Sequence, residues 1–540
     1  MMVAEIFGLF DRQNTTKEPG DKVAKKKHSQ AKIYSVVDLE TSGTSVANGD
    51  RIIQIGIVLL QKGKVINQFA TLVNPRTKIP HAVTQLTGIT NKAVAKAPLF
   101  DDVAGTIYSL LANTTFVAHN VNFDFPFLNS EFERAGYPQL QIPAIDTVTL
   151  AQILLPTQKS FRLRDLTMTL KIEHDHPHSA ISDAEATAKL LAILLKKLRE
   201  LPTQTVKRLV QLKLSLPRQT ATVFDEENVY RRTHPQSLPE DLYISHGLVL
   251  RKIRPFNHDQ AAQLGKYPAS KRAKQRLFGH HLEFRSAQSR MMNSIYNNYA
   301  NQEPQALIVE AGTGIGKTLG YLLPLTYLAY GQRQIVVSTA TNLLQQQIAR
   351  LAIQQLNAIL PVKVNAVVVK GSDHYIDLAK YARSLSVIED SKLVQLLKAR
   401  LMVWLTQTTS GDLDELNLTR RTSPYFTEIC HHGLHTLDQD NPYFADDFLN
   451  RRAKQLESAD IIITNHSYLA AHAQELGDGT KRPYLVVDEA QHLSESILQR
   501  SRQHFNFQAV HTTMNVLGNL VNFTTDRNLN DVFADLALGS

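Results

Sequence analysis

The sequence predicts an α/β protein in two successive parts, a mixed sheet with helices followed by a parallel sheet entered through a glycine-rich loop. Three stretches carry that expectation. Tyr34-Ser-Val-Val-Asp-Leu-Glu40 is an apolar strand ending in two acids, and in an extended chain Asp38 and Glu40 share one face. Ala306-Leu-Ile-Val-Glu-Ala-Gly-Thr-Gly-Ile-Gly-Lys-Thr318 runs from an apolar strand through a glycine-rich turn into a helix-like run, Leu319 to Leu328. Tyr484-Leu-Val-Val-Asp-Glu-Ala-Gln-His492 is a further apolar strand that ends in acids.

At 540 residues the chain is too long for one ordinary core, and three or so domains are expected. Residues 1–30 are polar with Lys25-Lys-Lys-His28 and read as a disordered arm. From Ala31 the strands Tyr34–Leu39, Ile52–Leu60 and Val65–Val73 form an antiparallel meander, punctuated by Gly49-Asp50 and Lys62-Gly63. Helical patterns follow, then the strand Thr115–His119 and an amphipathic helix, Ala184–Leu198, that closes the first domain at about 200. Ser182 with Glu185 offers a capping box for that helix, with a start near Ser179 as the alternative. Residues 201–280 read as a linker with one strand, Gly247–Ile253, and a basic stretch, Lys266 to Arg276. Residues 281–540 form the second main domain, with a helical insertion at about 375–455.

Composition narrows the chemistry. The single cysteine, Cys430, excludes an intramolecular disulfide and any cysteine-ligated zinc or iron–sulfur centre. The net charge of +9 suits a nucleic-acid partner without deciding for one. The longest apolar run, near Leu319 to Tyr330, is broken by Pro324 and falls short of the roughly 18 residues of a membrane span. With no signal-peptide pattern at Val3 to Phe10, the expected location is the cytoplasm.

Two acids at the end of a buried strand are costly unless a cation meets them, and a divalent metal is the reading that their company favours. Ala118-His-Asn-Val-Asn-Phe-Asp124 adds Asp124, and His178-Ser-Ala-Ile-Ser-Asp183 adds a histidine and an aspartate five residues apart. This order resembles the DnaQ or epsilon-type 3′→5′ exonucleases of the DEDDh branch, and the resemblance implies a ribonuclease-H-like fold. It also implies that Asp38, Glu40, Asp124 and Asp183 bind two Mg²⁺ or Mn²⁺ ions, which balance four carboxylates, with His178 as general base. Asp146 is not a ligand in that family and reads as a loop or helix-start residue. Asn120 and Thr41 are candidate substrate or supporting contacts, His119 orients its loop, and Phe123, Phe125 and Phe127 read as core in preference to a base-stacking platform.

In the second domain the loop Ala311, Gly312, Thr313, Gly314, Ile315 and Gly316 would wrap backbone N–H groups around phosphates, with Lys317 on the terminal phosphates and Thr318 on Mg²⁺. Asp488 and Glu489 would hold Mg²⁺ and orient the attacking water. Together with Val337-Ser-Thr-Ala-Thr-Asn-Leu-Leu-Gln-Gln-Gln347 and Ala459-Asp-Ile-Ile-Ile-Thr-Asn-His466, these stretches resemble the first RecA-like motor domain of a DinG-type superfamily 2 helicase. Phe284, Arg285 and Gln288 resemble its adenine-reading element. The two resemblances in this order match the bacterial fusion of an exonuclease with a DinG-like region.

The pattern is broken in four places. Ala311 replaces the first glycine of the phosphate loop, and Gln491 replaces the histidine of the DEAH box. Asp377 stands where the first cluster thiolate is expected, so no iron–sulfur cluster is expected, and His431, His432 and His435 near Cys430 read as solvated loop residues. After Ala490, 50 residues remain, none resembling the later motor motifs. The leading expectation is a metal-dependent 3′→5′ exonuclease on single-stranded DNA with an ATP–Mg-binding domain. An ATP-dependent helicase or translocase with an auxiliary nuclease, and a non-catalytic binding module, are the rivals.

Overall fold

The strand that carries Asp38 and Glu40 lies in the middle of a sheet. In this computed structural model, residues 31–511 are described except 254–255, 257–263, 302, 313, 388–390, 419–423, 434–436, 478–481, 503–506 and 508–509. The expected arm, 1–30, lies outside the described residues. Two units result: one holds the chain to Leu154 with Ser160–Arg199 and Ser215–Val223, the other Leu155–Lys159, Glu200–Leu214 and the chain from Phe224.

In the first unit β1 (Ile33–Thr41), β2 (Ile52–Gln61), β3 (Lys64–Leu72), β4 (Thr115–Ala118) and β5 (Ala144–Asp146) form a mixed sheet in the order β3-β2-β1-β4-β5. β1 to β3 are an antiparallel meander, and β4 and β5 add in parallel. The tight hairpin between β2 and β3 is set by Lys62 and Gly63, both at positive φ (51° and 77°), as two-residue hairpins require. Helices Phe100–Leu111 and Val121–Arg134 bury Phe100, Ile107, Leu128 and Phe132 against the sheet residues Val37, Ile55 and Phe116. Phe125 and Phe127 belong to this core, with Phe123 packed beside it.

The closing helix spans Ala180–Glu200. Ser182 is therefore inside it and caps nothing; the earlier start near Ser179 is the one adopted, and Asp183 N–H donates to Ser179 O at 2.9 Å. Part of the stretch expected to be linker packs with the first unit: Gln219 N–H donates to Ala144 O at 2.9 Å and Asp146 N–H to Thr220 Oγ1 at 2.9 Å. Where one strand was expected near Gly247, there is a hairpin, β6 (Leu242–Ser245) and β7 (Leu248–Arg251), turned by His246 and Gly247 at positive φ.

The second unit contains β8 (Ile335–Thr339), β9 (Ala366–Val368), β10 (Ile461–Asn465) and β11 (Tyr484–Val487), all parallel, in the order β11-β8-β10-β9. β8 and β10 each open with three apolar residues, Ile335–Val337 and Ile461–Ile463, all buried, the pattern of a strand covered on both faces. The strand expected at Ala306–Glu310 does not form: this stretch pairs with no strand, and Ile308 is 95% exposed. An apolar run becomes a strand only with a neighbour to pair with, and the sheet stops at β11. No helix among the described residues is long and apolar enough to cross a membrane.

Candidate active site

Four carboxylates reach one region of the first unit from three elements. Asp38 and Glu40 stand on β1, Asp124 is in the first turn of Val121–Arg134, and Asp183 is in the first turn of Ala180–Glu200. β1 keeps its pairing with β2 until a register shift between Glu40 and Thr41, so both acids lie at the end of the regular ladder. Leu39, between them, is buried, and its N–H donates to Asp124 Oδ1 at 3.2 Å. One peptide thus ties the second helix's acid to the strand that carries the first two.

The third element is brought in by a missing side chain. Gly56 on β2 pairs with Asp38, and a Cβ there would lie 2.3 Å from the carbonyl carbon of Ala180. Only a glycine lets the N-terminus of Ala180–Glu200 descend onto the sheet beside Asp38. Gln54, the partner of Glu40 across the ladder, fixes that terminus, its Oε1 accepting from Ala180 N–H at 3.0 Å.

The site is short of positive charge. Burial, and then the charges of Asp124, Asp183 and Glu40, push the Asp38 carboxyl well above its usual range. Burial and Asp183 raise Glu40 to about 7. Asp124 is raised mainly by burial, against the opposing pull of the Leu39 N–H. None of Asp38, Glu40 and Asp124 has a lysine or arginine partner among the described residues. Ligand atoms of Glu40, His178 and Asp183 lie within 4.8 Å of one another. A set of carboxylates and one imidazole suits a hard divalent cation. In contrast, the other acidic group, His374, Asp412 and Asp414 in the second unit, already holds the buried ammonium of Lys370, 2.8 Å from Asp414 Oδ2.

His178 is exposed, at φ 67°, with its backbone N–H 3.3 Å from Asp183 Oδ2. His174, which its spacing to Asp183 does not single out in the sequence, has its Nε2 2.5 Å from Asp183 Oδ1. The run Glu173-His-Asp-His-Pro-His178 contains three histidines, and only the last stands five residues before Asp183. Asp146 is buried and structural: Oδ1 accepts from the N–H groups of Asn120 and Val121, each at 3.0 Å, and Oδ2 from Thr149 N–H at 2.8 Å. His119 holds its loop through Thr147 Oγ1 (2.9 Å) and Phe161 O (3.0 Å). Thr41 spends its hydroxyl on Gly43 O at 2.6 Å, whereas Asn120 is exposed, at φ 87°.

In the second unit the glycine-rich turn leads into the helix Lys317–Ala329, with Gly314 and Gly316 at φ 80° and 87° and Gly316 at the N-cap. Ala311, Gly312, Ile315 and Thr318 flank them; Thr313 lies outside the described residues. The buried Gln288 turns its amide to this loop, Nε2 donating to Gly316 O at 2.8 Å, and Arg285 donates to Gly314 O. Asp488 follows β11 and accepts from the buried Tyr321 hydroxyl at 3.1 Å, and Glu489 sits at φ 57°.

Around Cys430 the outcome differs from expectation. His431 is fully buried, its Nε2 2.8 Å from Asp447 Oδ2, because that buried carboxylate lies sixteen residues on and needs a donor. His432 is exposed, and His435 lies outside the described residues. Asp377, at the position expected of a thiolate, caps the helix Leu378–Ser384 through the N–H groups of Ala379 and Lys380.

Residues 35–191 match the family model described as Exonuclease (RNase_T), and residues 285–419 the one described as DEAD/DEAH box helicase. The chain is 32% identical over 503 residues to the 3′-5′ exonuclease DinG of Bacillus subtilis (strain 168), covering 90% of this chain and 52% of that protein. It is 29% identical over 492 residues to the protein of the same name from Staphylococcus aureus (strain USA300), covering 90% and 53%. The chain therefore spans about half the length of the curated relatives it matches. Among solved structures it is similar to Exonuclease X in complex with 5′ overhanging duplex DNA, at 27% identity, over 30% of this chain and 91% of that one, with a TM-score of 0.25.

Proposed function

From a chain that carries an exonuclease domain followed by a DEAD/DEAH box helicase domain, we propose a metal-dependent 3′→5′ exonuclease that shortens single-stranded DNA, joined to a domain that binds ATP–Mg. The observation that carries this is the convergence of Asp38, Glu40, Asp124 and Asp183 with no lysine or arginine among the described residues to neutralise Asp38, Glu40 or Asp124. Asp38, Glu40, Asp124 and Asp183 would hold Mg²⁺ or Mn²⁺, which when bound supplies the charge that stabilises a phosphodiester undergoing attack.

The chain's own residues supply the rest. Burial and the neighbouring carboxylates raise the proton affinities of Asp38 and Glu40, and the same burial and repulsion favour a divalent cation among them. His178, exposed at the edge of the site and without a ring hydrogen bond among the described residues, takes the proton from the attacking water. The buried core beneath, Phe125 and Phe127 included, packs the helix Val121–Arg134 that carries Asp124 against the sheet.

ATP–Mg would lie against Gly312, Gly314, Gly316, Lys317 and Thr318, with Asp488 and Glu489 opposite; the left-handed glycines at the start of Lys317–Ala329 support this. The formal net charge of +9 suits a DNA substrate, and action on DNA in the cytoplasm is part of this reading. The test is digestion of single-stranded DNA labelled at the 5′ end, and separately at the 3′ end, with Mg²⁺ or Mn²⁺. A 5′-labelled ladder that shortens stepwise, with immediate release of the 3′ label, supports the reading. Internal cuts or the opposite polarity refute it.

A further inference from the structure

We propose that His174 is the positioning residue for Asp183: it holds Oδ1 so that Oδ2 faces the cation beside Glu40. This rests on the exonuclease reading and deepens it. The His174 side chain is 6% exposed and Asp183's is 14% exposed, so the 2.5 Å contact is shielded from competing water. An imidazole N–H that donates to a carboxylate makes a charge-assisted hydrogen bond, stronger than a neutral one.

The imidazole is itself held. Its Nδ1 lies 3.4 Å from Thr167 Oγ1 on the helix Leu163–Leu170, and Thr167, 2% exposed, donates its hydroxyl to Arg164 O at 2.8 Å. The chain of contacts therefore runs from that helix through Thr167 and His174 to Asp183. Asp183 has no other side-chain donor among the described residues; the remaining contact is the long one from His178 N–H to Oδ2.

His174 and His178 thus divide two tasks. His174 has its Nε2 committed to Asp183 and is unavailable to a water molecule. Among the described residues the His178 ring has no hydrogen bond, and His178 meets Asp183 through its backbone N–H. A carboxylate with one oxygen fixed by a protein donor is presented through the other oxygen, and removal of such a supporting donor typically weakens metal binding by about 10–100-fold.

The experiment titrates Mn²⁺ alone into the full chain, following free Mn²⁺ by electron paramagnetic resonance. Wild type is compared with His174→Ala, His174→Gln and Asp38→Ala, with melting temperature recorded for each. The expected result is an affinity about tenfold weaker in His174→Ala, largely recovered in His174→Gln, whose amide N–H can still reach the carboxylate. In digestion, His174→Ala should need more Mn²⁺ for half-maximal rate and regain most of the rate at saturation. Unchanged Mn²⁺ affinity in a folded His174→Ala overturns the proposal, as does His174→Gln behaving like His174→Ala. If wild type binds no more Mn²⁺ than Asp38→Ala, the metal-nuclease reading fails and this proposal with it.

Discussion

Adding one methyl group at Gly56 should disable the nuclease more than it destabilises the protein. A Cβ at that position would meet Ala180 C and O at 2.3 Å and Ile181 N at 2.5 Å, all backbone atoms that cannot swing aside. Restoring an ordinary contact requires the helix Ala180–Glu200 to withdraw by about 1 Å or more. Overpacking of this kind costs about 1–3 kcal/mol. The functional loss is larger because the helix carries Asp183, and a displacement of about 1 Å in a reacting geometry is worth roughly 100-fold in rate. The assay measures nucleotide release at saturating Mn²⁺, with thermal melting on the same samples. Gly63→Ala is the control: its Cβ meets nothing within 4 Å, but its φ of 77° is strained for alanine. It should lower stability by about 1 kcal/mol and leave the rate alone. Gly56→Ala with the wild-type rate, or with a loss no greater than the control's, would refute the idea that this close approach places Asp183.

Further predictions follow from charge. Glu40 has its proton affinity raised to about 7 from an ordinary 4.5, so the folded state binds more protons than the unfolded one between those values. Without metal, stability should therefore fall as pH rises through that window, and divalent metal should raise the melting temperature more at pH 8 than at pH 6; the reverse order would count against the site. Arg51→Ala removes a two-pronged ion pair from Glu131, which is 1% exposed and keeps only Arg134. It should cost about 2 kcal/mol in chemical denaturation, with the saturated nuclease rate within about twofold of wild type, since a loss under 0.4 kcal/mol in the barrier is that small. Lys317→Ala should weaken ATP binding, read by fluorescence of a labelled nucleotide, and leave DNA digestion unchanged in the absence of ATP.

Much of the site is legible because its residues obey local rules. Asp38 and Glu40 lie two apart on an apolar strand, and the period of two puts them on one face whatever surrounds them. His178 and Asp183 are visible through their spacing, and the glycine-rich loop through its run into a helix. The parts that are not legible depend on elements meeting at a distance. Gly56 is an unremarked glycine until Ala180 arrives over it, and Gln54 is a polar residue on a buried strand until it caps that helix. His174 gains its role only because the chain between 163 and 183 folds back on itself. Ala306–Glu310 fails as a strand for the related reason that periodicity describes a segment and pairing describes two. His431 reads as a loop histidine because its burial is decided by Asp447.

The central claim is that Asp38, Glu40, Asp124 and Asp183 together hold the metal that cuts DNA. Its most direct measurement is the rate at which the full chain shortens a 5′-labelled single-stranded oligonucleotide in Mn²⁺, compared for wild type, Asp38→Ala, Asp183→Ala and wild type with chelator. The account predicts a ladder from the 3′ end in the first case and its loss, by about 100-fold or more, in the other three. Digestion that survives both substitutions and the chelator would contradict it.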